Sequence, residues 1–269
     1  PWKRGDIYAA SQRLLFVAII AIASCVAITV FVEGRLSLAP FGIGLGIWVV
    51  VGALAEWVFR VKLFTASWQE TWRRITNLPR SNYGTMTAHL GLGICVIGMV
   101  AAFSWRTETN LSMKVHQPLA FAGYELVLQR LGAEDRANYR EIFAEFTLSK
   151  NGKLVTTLRP AKRYFDGQPQ TTETAIEPTW TGDYYLASDR IVSDDICQEG
   201  TLQSCQETLD KAVKDNATID VRVLFDPFVR FIWLGTILMA LGGGLSLFDR
   251  RLRIGVPTRK PQLSTATAN

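Results

Sequence analysis

Charged residues are absent from four long stretches of this 269-residue sequence, which are residues 14–32, 36–55, 81–105 and 231–248. Each stretch is close to the ~20 residues that a helix needs to cross a bilayer. A helix pairs its backbone groups within its own segment and is therefore stable in lipid. The alternative, a buried helical hairpin in a large soluble protein, is disfavoured by the presence of four such runs. We therefore predict a multi-pass α-helical membrane protein.

Several other features are missing. The sequence contains no phosphate-binding loop, no hydrolase serine elbow and no zinc-protease motif. It starts at Pro1, without an initiator Met or a signal-peptide pattern. We therefore expect it to be a processed chain or a piece of a longer protein.

The basic residues predict which side of the membrane each loop faces. They are concentrated before the first apolar stretch, between the second and third, and after the fourth, at Lys3, Arg4, Arg13, Arg60, Lys62, Arg73, Arg74, Arg80, Arg250, Arg251, Arg253, Arg259 and Lys260. These segments alternate as cytoplasmic segments should. Residues 106–230 hold 15 Lys+Arg and 19 Asp+Glu, whereas the rest holds 14 and 5. The basic pI of about 9.1 thus reflects membrane topology and does not indicate nucleic-acid binding.

These boundaries define the predicted organisation. Transmembrane helices span residues 14–33, 36–58, 81–105 and 231–248, and a domain outside the membrane spans 106–230. Residues 1–13, 59–80 and 249–269 are predicted to be cytoplasmic, with a disordered polar tail at 262–269.

The 106–230 segment is rich in aromatic and β-branched residues, which predicts strands at 124–131, 139–149, 154–158, 163–165, 175–177, 184–187 and 219–224. Asn151-Gly152 takes the positive φ values of a two-residue hairpin loop. We predict a mostly antiparallel sheet or a small barrel. The polar stretch 188–216 is predicted to be a loop that can hold one short helix.

His89 lies inside the third apolar stretch, where an unpartnered imidazole is costly and a functional role is expected. Gly84, Ala88, Gly91 and Gly93 remove side-chain bulk around it, which allows close approach either by another helix or by a flat cofactor such as a porphyrin. The residues alone leave both interpretations open. His116, the other histidine, lies beyond the outer end of this stretch, so a second ligand at the depth of His89 must come from another segment or subunit.

Glu56 interrupts a membrane stretch near its cytoplasmic end, and Arg60 follows four residues later, which favours a structural ion pair over proton transfer. Cys25 and Cys95 are predicted to be small packing residues in membrane helices. Cys197 and Cys205 lie in the polar outer loop and fit a disulfide in an oxidising compartment. They lack the Cys-x-x-Cys spacing of a metal site, which is the less favoured alternative.

Several short motifs in a fixed order indicate a family. They are Ala55-Glu56 through Arg60, Met-x-x-His-Leu-Gly around His89, Lys-Arg-Tyr-Phe at 162–165 with Thr-Glu-Thr-Ala-Ile at 172–176, Asp-Tyr-Tyr-Leu at 183–186, Pro-Phe-Val-Arg-Phe-Ile-Trp at 227–233, and Met-Ala-Leu-Gly-Gly at 239–243 before Phe248-Asp249. Along nearly its whole length the sequence resembles the C-terminal part of CcmF, the haem lyase subunit of bacterial cytochrome c maturation.

The resemblance implies an inner-membrane protein with its β domain in the periplasm, a subunit of a cytochrome c haem lyase. It would take haem as substrate from the chaperone CcmE and help to join it to the cysteine thiols of apocytochrome c, together with CcmH and CcmI. It also implies a b-type haem in the membrane, with His89 as an axial ligand to the iron. The second ligand, the Trp-rich haem-handling segment and two periplasmic histidines would belong to an N-terminal remainder absent here, so this fragment alone is expected to be inactive, and its catalytic residues are unknown.

Two other functions remain open on the sequence. A membrane electron-transfer subunit would use a b-type haem for reversible reduction by quinol. A non-catalytic scaffold would use the outer domain only to dock assembly partners, and it would tolerate loss of His89.

Overall fold

A computed structural model describes residues 7–165, 167–190, 197 and 200–249. The predicted tail at 262–269 and the basic residues after Asp249 lie outside these residues, as do Lys3 and Arg4. The chain divides into two units, one formed by Pro1–Ile97 with Ile232–Asn269 and the other by Gly98–Phe231.

Six α-helices are present in the described residues, and they are α1 (Ile7–Ile28), α2 (Ala39–Val61), α3 (Trp68–Asn77), α4 (Arg80–Ser104), α5 (Leu202–Lys214) and α6 (Val229–Leu247). Four helical spans are long and apolar enough to cross a membrane, namely Leu14–Glu33, Ala39–Val61, Arg80–Ser104 and Val229–Leu247. The four predicted membrane helices are therefore all present as helices.

The helix ends follow local sequence signals. A single π-helical turn, Thr29–Glu33, extends α1 and stops at Gly34, whose φ of 65° favours glycine. Pro40 stands in the first turn of α2, where its missing N–H costs no hydrogen bond, so α2 begins later than the apolar stretch does.

Helix α3 lies within residues 59–80, for which the sequence predicted a cytoplasmic loop. Ser67 caps it by accepting a hydrogen bond from the Glu70 backbone N–H. Glu70 also pairs with Arg73 and Arg74, three and four residues later. Trp68 and Trp72 stand exposed on its surface.

The described residues of the second unit form ten strands, namely β1 (Thr107–Met113), β2 (Pro118–Phe121), β3 (Tyr124–Asp135), β4 (Tyr139–Lys150), β5 (Lys153–Leu158), β6 (Ala161–Phe165), β7 (Thr171–Glu173), β8 (Ala175–Pro178), β9 (Gly182–Arg190) and β10 (Ile219–Pro227). They form two sheets in which every pairing is antiparallel. One sheet has the order β1-β10-β9-β8, and the other has β2-β3-β4-β6-β7 with β5 beside β4.

The two sheets share one apolar core, to which β1, β9 and β10 contribute from one sheet and β3 and β4 from the other. Phe146 and Leu128 from the larger sheet and Leu186 from the smaller sheet are almost completely buried. The predicted mostly antiparallel β domain is confirmed, and it consists of two sheets rather than one sheet or a barrel.

Some predicted details of this unit were wrong. Residues 188–216 were predicted to be a loop that can hold one short helix; among the described residues there, β9 continues to Arg190, and the helix is present as α5 and provides more than three turns. Thr201 caps α5 by accepting from the Ser204 backbone N–H. Strands β1, β2 and β7 were not predicted, because their sequences are short or polar and gain strand geometry from their neighbours. The Asn151-Gly152 hairpin is present, with φ values of 52° and 74°.

Candidate functional site

Helix α4 holds His89 on its surface, with the imidazole exposed to the surroundings of the helix. Its Nδ1 lies 2.8 Å from the backbone carbonyl oxygen of Thr85, one helical turn earlier. A carbonyl only accepts hydrogen bonds, so Nδ1 must carry the proton and donate it. The lone pair of Nε2 is consequently directed away from the helix, as in a histidine that binds a metal through Nε2.

A groove between α2 and α4 contains this imidazole. Its volume is about 340 Å³, within the range of about 300 to 1,000 Å³ typical of ligand pockets. It is lined by Gly52, Ala53, Glu56, Trp57, Arg60, Leu78, Asn82, Thr85, Met86 and His89. Gly52 and Ala53 contribute only small side chains from α2 to this groove. They therefore leave space for a flat ring system that larger side chains would fill.

The small residues that surround His89 in the sequence pack against other helices. A Cβ atom placed on Gly91 would lie 2.5 Å from the carbonyl oxygen of Gly235 on α6, and one on Gly84 would lie 2.6 Å from that of Gly242. Gly93 instead meets α2, where a Cβ atom would lie 2.7 Å from the carbonyl oxygen of Gly46. These glycines therefore pack helices together, as one of the two interpretations expects, and His89 lines the groove.

Polar groups collect at one end of the groove. Arg60 Nε donates to Glu56 Oε1 at 2.6 Å, which is the ion pair expected from the sequence. Arg60 Nη1 lies 3.5 Å from Asn82 Oδ1 and so joins α2 to α4. The indole N–H of Trp57 is buried and has no acceptor within the described part of the chain. A buried N–H without a partner carries a desolvation cost that a ligand acceptor would remove.

His116 is placed differently from His89. It occupies the turn between β1 and β2 in the second unit (Gly98–Phe231), which is called the β unit below. Its φ is positive, at 63°, and its backbone N–H donates to the Leu128 carbonyl. Over the described residues, no group of three or more His, Cys, Asp or Glu side chains converges as a metal site would require. A haem iron does not require such a group, because each axial position takes a single side chain.

Cys197 and Cys205 are bonded to each other in the structure, with an S–S distance of 2.06 Å. Both are buried in the core of the β unit beside Leu209 of α5. Arg140 Nη1 donates to the Cys197 carbonyl at 3.0 Å, while its Nε donates to Asp135 Oδ1 at 2.6 Å. This hydrogen bond to Arg140 lowers the pKa of the Asp135 carboxyl. The predicted Cys197–Cys205 disulfide is therefore present, whereas Cys25 and Cys95 are free thiols in the membrane helices.

Comparison with known proteins decides the family. A family described as the CcmF C-terminal beta-sandwich matches residues 104–196. The cytochrome c-type biogenesis protein CycK of Bradyrhizobium diazoefficiens is 35% identical over 95% of this chain and 36% of its own length. The chain belongs to the CcmF family. It matches the C-terminal part of the proteins in that family.

Other CcmF relatives agree. CcmF of Escherichia coli K12 is 28% identical over 93% of this chain and 34% of its own length. The solved structure titled cytochrome c heme lyase CcmF superposes with a TM-score of 0.58 at 16% identity, covering 86% of this chain and 34% of that one, and so shares the fold. The chain spans about a third of the length of the curated CcmF relatives that it matches.

The sequence indicated His89 and the Glu56–Arg60 pair as candidates, but it did not indicate that all three residues line one groove. Trp57 was not identified as a lining residue, although it stands beside Glu56 in the sequence. Asn82 was also missed, because only the packing of α2 against α4 brings it to Arg60.

Proposed function

We propose that this chain is the C-terminal part of a membrane subunit that handles haem during cytochrome c maturation, and that His89 is an axial ligand to a b-type haem. The observation that carries the proposal is the geometry of His89. Its Nδ1–H is fixed by the Thr85 carbonyl, and its Nε2 lone pair is free at a groove on a membrane helix. When bound, the haem supplies one-electron redox chemistry, and this chain supplies one imidazole.

The second axial ligand belongs to a segment outside this sequence. The sequence has only two histidines, and His116 lies in the β unit. His116 is not among the residues that line the groove of His89, so we assign it no part in ligation.

The β unit is proposed to face the periplasm, with residues 1–13, 59–80 and 249–269 in the cytoplasm. The distribution of Lys and Arg supports this orientation. The Cys197–Cys205 disulfide supports it independently, because such bonds persist in oxidising compartments and are rare in the cytoplasm.

The proposed reaction uses a second haem as substrate and attaches it to apocytochrome c by thioether bonds. Relatives that carry the name cytochrome c-type biogenesis protein support this assignment. CcmE as haem donor, CcmH and CcmI are the proposed partners of the full-length protein. The enzyme is the full-length subunit in its assembly, and the present chain is proposed to be inactive alone.

Replacement of His89 tests the proposal in the full-length protein. His89→Ala is expected to remove the b-type haem spectrum and to abolish c-type cytochrome assembly, because no other imidazole of this chain lies at the groove. Exogenous imidazole should partly restore the spectrum by filling the vacated position. The matched control is His116→Ala, which should keep the haem.

The outcomes separate the three candidate functions. Unchanged haem content and an unchanged reduced spectrum in His89→Ala would refute the ligand assignment and leave helix packing as the role of this region. Loss of haem with full cytochrome c assembly would instead favour an electron-transfer subunit. A scaffold would tolerate the substitution in both assays.

A further inference from the structure

Arg60 and His89 line the same groove. Arg60 stands at the groove end where α2 finishes, beside Asn82 on α4. Asn82 precedes His89 by seven residues, which is about 10 Å along a helix axis. This separation is comparable to the reach from a porphyrin iron to its propionate carboxylates.

We propose that Arg60 binds a propionate carboxylate of the porphyrin whose iron His89 ligates. This inference rests on the proposed b-type haem and adds the residue that would recognise its acidic edge. Among the described residues that line the groove, Arg60 is the one Lys or Arg side chain. A carboxylate taken into a membrane site needs a cation or several donors, and a guanidinium supplies both.

The existing contacts of Arg60 leave room for this ligand. A guanidinium has five N–H donors in a planar fork. Glu56 takes the Nε donor at 2.6 Å, and Asn82 holds Nη1 only weakly at 3.5 Å. Glu56 therefore orients the guanidinium and leaves Nη donors for a second carboxylate. Trp57 adds the buried indole N–H that lacks an acceptor among the described residues, and it lines the same groove.

The two members of the ion pair should have opposite effects on the haem. A positive charge near the iron favours the reduced state, and a negative charge favours the oxidised state. Arg60→Gln should therefore lower the midpoint potential and reduce the haem retained on purification. Glu56→Gln should raise the potential and retain more haem than Arg60→Gln, because Arg60 remains to pair with the propionate although Glu56 no longer orients it.

The experiment uses the full-length protein in detergent and measures haem content by pyridine haemochrome and midpoint potential by spectroscopic titration. Arg60→Lys is included because it keeps the charge but loses the fork, so its haem content should fall between those of wild type and Arg60→Gln. Arg73→Gln is the matched control. Arg73 pairs with Glu70 on α3 in the same way but does not line the groove.

A purely structural ion pair would give a different pattern. Both Arg60→Gln and Glu56→Gln would then lose haem to a similar extent, and this result would overturn the proposal. An unchanged haem content and potential in Arg60→Gln would overturn it as well. If His89→Ala loses the haem while Arg60→Gln behaves as wild type, the proposed role of Arg60 is wrong, and the assignment of His89 as an axial ligand stands. If His89→Ala retains the haem, the proposed function itself fails.

Discussion

At the scale of single residues, two carboxylates oppose each other on paired strands of the second unit. Asp183 on β9 is the register partner of Asp226 on β10, and both are buried. Asp226 accepts hydrogen bonds from Arg106 at 2.6 and 2.9 Å, which joins the start of β1 to the end of β10. Asp183 Oδ1 has no hydrogen-bond partner among the described residues.

The environment of Asp183 makes its stability contribution depend on pH. Burial raises the pKa of its carboxyl, Arg230 lowers it, and the charge of Asp226 raises it again, with a net upward shift. The folded state therefore holds this proton more tightly than the unfolded state does. The contribution of Asp183 to the free energy of unfolding is greatest below the pKa that its carboxyl has in the unfolded state. This contribution is lost as the pH rises through the higher pKa that the carboxyl has in the folded state.

Asp183→Asn should remove this loss, because an amide does not ionise. We expect the thermal midpoint of the full-length protein to rise relative to wild type as the pH is increased from about 4 to about 7. Asp210→Asn is the control, since it removes the same charge from the exposed surface of α5. A variant that becomes less stable relative to wild type over this range would contradict the assignment.

At the scale of helices, α4 and α6 touch through backbone rather than through large side chains. A Cβ atom on Gly242 would lie 2.5 Å from both the Ala88 nitrogen and the Gly84 carbonyl oxygen. These are backbone atoms that a rotamer change cannot move aside. Small residues permit this close approach, which gives dispersion contacts in the absence of a hydrophobic driving force in lipid.

Neighbouring glycines of α6 provide a matched test of this contact. Gly242→Ala should destabilise the first unit, which contains Pro1–Ile97 and Ile232–Asn269, by about 1 to 3 kcal/mol, the typical cost of overpacking. Gly243→Ala should be neutral or slightly stabilising, because a Cβ atom there meets nothing within 4 Å and alanine favours the helix. Thermal stability of the two purified proteins in the same detergent compares them. Equal midpoints would show that α4 and α6 do not pack at Gly242.

At the scale of the whole molecule, the orientation of the chain in the membrane is open to direct measurement. We expect Asn110 of β1 to be accessible from the periplasm and Asn77 at the end of α3 to be accessible only from the cytoplasm. Single cysteines introduced at these exposed positions would be treated in intact cells with a membrane-impermeant thiol reagent. Labelling at Asn77 but not at Asn110 would invert the topology, and the wild-type protein controls for Cys25 and Cys95.

The sequence by itself determined the features that depend on local composition. Four charge-free stretches predicted the membrane helices, because lipid requires apolar side chains over a fixed length. Asn151-Gly152 predicted its hairpin, because few other residue pairs tolerate two positive φ values. Glu56 and Arg60 predicted their ion pair, because residues four apart lie on one face of a helix.

Only the tertiary structure decided which residues meet across elements. It separated the glycines that pack α4 on α6 from the histidine that faces a groove, although all of them alternate within a few residues of sequence. It brought Asn82 to Arg60 and Asp183 to Asp226, over separations that no local pattern encodes. It also divided the strands into two sheets, since side-chain burial between sheets, rather than intrinsic propensity, fixes which strands of similar composition become neighbours.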